Sequence, residues 1–131
     1  MKFGFQSMQI SAIVIALIIF MSPTLSLAQN AGVESPNVPA ELNLNKMLYG
    51  KFCSSCHGVD LKGTKQGPPF LHRVYHPGHH ADGAFFLAAK NGTRAHHWKF
   101  GNMPPVLGTN DGIVASIVKY VRYVQKQAGI F

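Results

Sequence analysis

The apolar positions of this chain change period four times. Ile10 to Met21 (ISAIVIALIIFM) is an unbroken apolar block. From Leu42 the period becomes helical: Leu44, Met47, Leu48 and Phe52 recur at steps of three to four, leading into Cys53. Asp82 reads as the N-cap of a short helix, AFFLAAKNG, with Phe85, Phe86 and Ala89 apolar and Gly92 at a left-handed stop. The clearest element is the last: Thr109 or Asn110 caps a helix with Ile113, Ile117, Tyr120, Val121 and Val124 on one face and Lys119, Arg122 and Lys126 elsewhere. Two irregular stretches intervene, GTKQGPPFLHRVYHPGHH and TRAHHWKFGNMPPVLG, where Pro68, Pro69 and Pro77 oppose a continuous helix. No strand pair and no repeat stands out. The pattern predicts an all-α chain, three helices separated by two long loops. Loops of that length suit a small helical protein only if something other than polypeptide fills its middle.

The N-terminus combines Lys2, an apolar block of about 12 residues, and small residues at Ser26 and Ala28. The block is short against the roughly 20 residues that span a bilayer. The segment 1–28 therefore reads as a secretory signal peptide cut after Ala28, with an uncleaved anchor as the alternative. No cysteine sits at the cut to carry a lipid. Residues 29–41 (QNAGVESPNVPAE) lack an apolar period and read as a flexible leader, leaving 42–131 as the folded domain.

Setting Lys2 aside, eleven Lys and Arg face five acids, a net charge of +6 after cleavage. Such a surface suits acidic protein partners or anionic lipid heads. Nucleic acid fits poorly, because the basic residues are scattered and an exported protein rarely meets it. About 100 residues make a thin core, so an internal staple would help.

The only two cysteines fall in FCSSCHG, three apart and followed by His57. A redox dithiol wants a strand-to-helix turn that this sequence lacks. A zinc site needs four ligands, commonly in pairs, and nothing later repeats the spacing. A Cys53–Cys56 disulfide closes a tiny loop and stabilises little. The remaining reading uses every part. Positions i, i+3 and i+4 of a helix share a face, so Cys53 and Cys56 can add to the two vinyl groups of one haem while His57 reaches its iron. GNMPP then offers Met103 as a second axial ligand on a stiff loop. His/Met ligation raises the reduction potential and favours electron transfer.

CSSCHG, GPPFL, NMPP and a terminal amphipathic helix with Tyr120 together resemble a class I cytochrome c of the short bacterial type, over roughly Leu42 to Val124. The resemblance implies a small all-α fold of three to four helices wrapped around one haem c, bound through Cys53 and Cys56. It implies that the Pro68 carbonyl accepts from His57, and that Gly50 and Tyr120 lie where the first and last helices cross. HHWKFGNMPP further resembles a subgroup with an HHWxFGxMPP axial loop. The function implied is one-electron transfer between redox proteins, with no bond made or broken in a substrate. Export would place it in the periplasm or at the outer face of the cytoplasmic membrane, with no stable membrane span after cleavage.

Trp98 is the only tryptophan and is expected to wall the haem, its indole N–H near a propionate. Arg73, Arg94 and Lys99 are candidates for pairing with propionates. Six histidines beyond His57 stay unexplained: His72, His76, His79, His80, His96 and His97. They can be surface residues, they can build a second metal site from His76, His79 and His80, or His96 or His97 can compete with Met103 for iron. Two other functions follow from these alternatives: a copper-handling haem module, and a peroxidase-like enzyme with a labile sixth ligand.

Overall fold

The computed structural model describes residues 33–131; the apolar block Ile10 to Met21 and the expected cleavage point lie outside them. Among the described residues no helix is long and apolar enough to cross a membrane. A 3-10 turn, Ala40–Leu42, runs into α1 (Asn43–Phe52), followed by the short α2 (Ser54–His57). A second 3-10 turn, Arg73–Tyr75, precedes α3 (Asp82–Asn91) and α4 (Asp111–Gln127). The all-α expectation holds. The β contact among these residues is an isolated antiparallel bridge between Thr93 and Met103.

α4 organises the core. Asn110, rather than Thr109, is its cap: the side-chain oxygen accepts from the Ile113 N–H at 2.9 Å, satisfying one orphan donor of the first turn. Asp111 begins the helix and Lys126 ends it, each favourable to the helix dipole. Its inner face buries Val114, Ile117, Val118, Tyr120, Val121 and Val124. Gln125 is also fully buried and donates to the Phe70 carbonyl at 2.8 Å.

α1 packs on α4 through a different stripe from the expected one. Leu44 and Met47 are about three-fifths exposed, at 60% and 61%. The buried positions are Leu42, Asn45 and Tyr49, with Leu48 and Phe52 half-buried. The apolar count missed this face because two of its members carry polar groups. Both groups are satisfied inside: Asn45 donates to the Ser116 carbonyl at 3.0 Å and Tyr49 to the Gly58 carbonyl at 2.6 Å. The helices meet at Tyr49 and Tyr120, whose ring centroids are 5.2 Å apart. Gly50 is not at that contact: it is exposed, and a Cβ added there meets nothing within 4 Å.

α3 begins one residue after its cap, Ala81. Asp82 does not cap it as expected; its carboxylate takes the Arg122 Nε–H at 2.7 Å instead. Phe85 turns inward against Phe70, centroids 5.5 Å apart. Part of the leader expected to be flexible is docked. Lys46 donates to the Pro36 carbonyl at 2.8 Å, and Val38 packs against the core.

The core face of α4 and the corrected face of α1 give an expected outcome for one substitution on each. Ile117→Ala should cost about 2–5 kcal/mol of stability. Leu44→Ala, although apolar, should stay within about 0.5 kcal/mol. Urea denaturation of the haem-loaded protein measures both; comparable losses would return Leu44 to the core.

Candidate functional site

The two cysteines straddle a break rather than sitting on one continuous helix. The Cys53 N–H closes the last turn of α1 on the Tyr49 carbonyl at 2.9 Å. Its φ of −127° then interrupts the helix, and its carbonyl accepts from the N–H groups of Cys56 (3.2 Å) and His57 (3.0 Å). One hydrogen-bonded turn therefore preserves the i, i+3, i+4 relation that the attachment motif needs. Both thiols are free. Cys53 is half-buried, and burial pushes its thiol up to about 12, whereas Cys56 is exposed.

His57 is buried, 7% exposed. Its Nδ1 lies 2.9 Å from the Pro68 carbonyl. A carbonyl only accepts, so the proton sits on Nδ1 and Nε2 keeps its lone pair free. Phe70 stacks on the imidazole, centroids 4.1 Å apart and planes 18° from parallel. Desolvation holds the His57 pKa below the ordinary value, only partly opposed by the bond to Pro68. The neutral imidazole, the form that binds metal, is thus favoured. The loop carrying Pro68 is itself tied down: Thr64 Oγ1 donates to the Cys56 carbonyl at 2.7 Å, and Leu71 N–H to the Leu61 carbonyl at 3.1 Å.

Met103 is half-buried on its loop. Its backbone N–H and carbonyl pair with those of Thr93, each bond 2.9 Å. Gly92 makes that pairing possible. It has φ of +76°, and a Cβ there would lie 2.5 Å from the Met103 oxygen.

The Trp98 indole N–H is buried and has no hydrogen-bond partner. Burial pushes the pKa of the neighbouring Tyr75 hydroxyl up to about 12. Trp98 meets the edge of His72 at 4.8 Å and lies 6.2 Å from the Phe100 ring. Tyr120 is wholly buried at the helix crossing, its hydroxyl 3.4 Å from Ser35 Oγ. Arg73, Arg94 and Lys99 are exposed.

Sequence reasoning left three residues without their roles. Phe70 stands in GPPFL with no sequence sign of its stacking on His57 beyond its place near Pro68. Tyr49 falls outside the apolar period of its helix. Arg122 lies off the apolar face of α4, yet it ties α4 to the loop before α3. Only Phe70 carried a signal, through its nearness to Pro68.

The remaining histidines divide. His76 spends its Nδ1 accepting from the Gly78 N–H at 2.9 Å, and its ring lies against Phe131. His79, His80 and His97 converge, each offering one ring nitrogen within 4.8 Å of the others. The expected trio of His76, His79 and His80 is therefore wrong in one member: the turn at Gly78 diverts His76, and His97 arrives from the other loop. His96 lies beside them, 4.3 Å from the His97 ring. The His97 pKa is lowered, by desolvation first and then by its imidazole neighbours.

These residues fit a covalently held haem. They provide two free thiols on one turn, an imidazole with its distal nitrogen unspent, and a buried indole donor awaiting an acceptor such as a propionate. Neither cysteine joins any metal-capable cluster among the described residues, which removes the support for a zinc site built on them. The class of protein defined by this fold and motif is a small helical haem c protein. The family model described as Cytochrome c matches residues 45–125, so the chain belongs to the cytochrome c family. It is accordingly a haem-binding electron-transfer protein whose partners are redox proteins. No curated protein and no solved structure matches the chain.

Gly92→Ala should cost more than about 1 kcal/mol, since alanine is strained at positive φ and its methyl would strike the Met103 carbonyl. Amide hydrogen exchange should accelerate at Thr93 and Met103. Unchanged protection there would mean that the bridge does not depend on the glycine.

Proposed function

We propose that this chain is an exported one-electron carrier in which His57 and Met103 are the axial ligands of a single haem c. The observation that carries the reading is the commitment of His57 Nδ1 to Pro68, which aims the unprotonated Nε2 away from the chain's own hydrogen bonds. A bound haem would supply the iron that alternates between ferrous and ferric states. The chain's residues do the rest. Cys53 and Cys56 would hold the macrocycle by two thioethers, and Phe70 with Pro68 fixes the plane and tautomer of His57. Trp98 provides a propionate donor, and Tyr120 backs the site from the core. The Thr93–Met103 bridge holds the loop that presents the thioether. Met103 as a ligand to that iron would shut out small ligands and raise the potential, and this supports a carrier over a peroxidase-like enzyme.

The HHWKFGNMPP segment supports membership of the axial-methionine subgroup. The charge of +6 left after removal of 1–28 supports partners with acidic docking surfaces. The N-terminal segment supports a periplasmic location or one at the outer face of the cytoplasmic membrane.

Visible and near-infrared spectra of the protein matured with haem test the ligation. The ferric wild type should show the weak methionine–iron charge-transfer band. Met103→Ala should lose that band and shift to a lower reduction potential, while the covalent haem is retained. A band that persists in the variant would remove Met103 from the iron.

A further inference from the structure

Four of the six histidines that haem binding leaves over come from two separate loops and gather at one place. His79 and His80 close the turn before α3; His96 and His97 open the loop that leads to Met103. His79 Nε2 and His97 Nε2 share a hydrogen bond at 3.0 Å, one ring donating to the other, and a metal ion bound between them would displace that proton. The His80 ring lies 5.2 Å from that of His97 and 4.7 Å from that of His79. Two imidazole nitrogens bound at about 2.0–2.1 Å to one ion in tetrahedral geometry would be separated by about 3.3 Å, and somewhat less in a square-planar arrangement. The 3.0 Å spacing already lies in that range.

The cluster is held from outside. The Arg122 guanidinium donates to the His80 carbonyl at 2.5 Å and the Tyr75 carbonyl at 2.7 Å, anchoring the loop to α4. The backbone N–H groups of His79 and His80 both close on the His76 carbonyl at 2.9 Å. His80 Nδ1–H donates to the Val74 carbonyl at 2.7 Å, and His96 Nδ1–H to the Arg94 carbonyl at 2.8 Å. A carbonyl on one ring nitrogen fixes the tautomer and leaves the other nitrogen as ligand, the usual outer shell of a metal-binding histidine. A surface histidine in solvent has no such constraint.

We propose that His79, His80 and His97 form a second metal site, distinct from the haem attachment, that takes Cu(II). The donor set decides the metal. No carboxylate or thiolate belongs to the group, which disfavours Mg2+ and Ca2+, both of which require oxygen ligands. Imidazoles suit Cu(II), Ni(II) and Zn(II), and the order of affinities among these divalent ions puts Cu(II) first. His96 stands close enough to serve as a fourth ligand after a rotation of its ring. The site requires His97 to stay off the iron, so it rests on the reading of Met103 as sixth ligand.

The test is calorimetric titration of the tag-free, haem-loaded ferric protein with Cu(II), with copper electron paramagnetic resonance on the product. One equivalent should bind, with hyperfine coupling to at least three nitrogens. The double variant His79→Gln, His97→Gln should weaken binding by at least about 100-fold, while His76→Gln binds as the wild type does. The haem spectrum and melting temperature should be the same in all three, which separates loss of the site from loss of the fold. Absence of saturable binding to the wild type, or undiminished binding to the double variant, would overturn the site. Complete displacement of copper by equimolar Zn(II) would overturn the choice of metal. The nitrogen count on the wild type stands as a separate check if the double variant fails to fold.

Discussion

Tyr49 joins the last helix, the first loop and the end of the cysteine turn at one buried point. Its ring lies between Tyr120 of α4 and Phe70 of the first loop, at centroid distances of 5.2 and 6.3 Å. Its hydroxyl donates to the carbonyl of Gly58, the residue directly after His57, at 2.6 Å. The side chain is 1% exposed, and burial drives its pKa far above the ordinary value. The group is therefore an obligate donor with a short bond inside a low-dielectric core, where a lost partner leaves a buried polar atom unsatisfied. Through it the crossing of the first and last helices sets where the cysteine turn ends. Phe70, which packs on both Tyr49 and His57, carries the same constraint to the imidazole plane.

The long loops are thereby assigned work. A chain with this few buried side chains cannot cover two irregular segments by packing alone. Each loop is instead pinned at a few polar points: Gln125 to Phe70, Arg122 to Tyr75 and His80, Thr93 to Met103. All but the last run from α4 to the first loop, so one amphipathic helix positions the segment carrying Phe70 and His80, while the second loop is held by its own Thr93–Met103 pairing. Arg122 is a clear instance of charge used structurally. It meets a carboxylate, two carbonyls and the Gln125 amide oxygen while its guanidinium lies 5.0 Å from the centre of the Phe85 ring. An arginine so employed makes a cost in stability the expected result of its loss, whatever its apparent place on the polar face.

Sequence by itself determined the class of protein, because the haem motif is local. Cys53, Cys56 and His57 lie within one turn, and their spacing is meaningful before anything else folds. The cap of α4 and the stop of α3 were legible for the same reason: Asn110 acts on the N–H three residues ahead, and Gly92 on its own φ. Tertiary structure alone decided what depends on distant partners. It chose Asn45 and Tyr49 over Leu44 and Met47 for the buried face of α1, because partners on α4 and at Gly58 satisfy their polar groups. It moved Asp82 from a cap to a salt bridge with a residue 40 positions away. It replaced His76 by His97 in the imidazole cluster, since a tight turn removes one histidine and a second loop delivers the other. Covalent spacing can be read along a chain; a shared polar partner exists only after two segments have met.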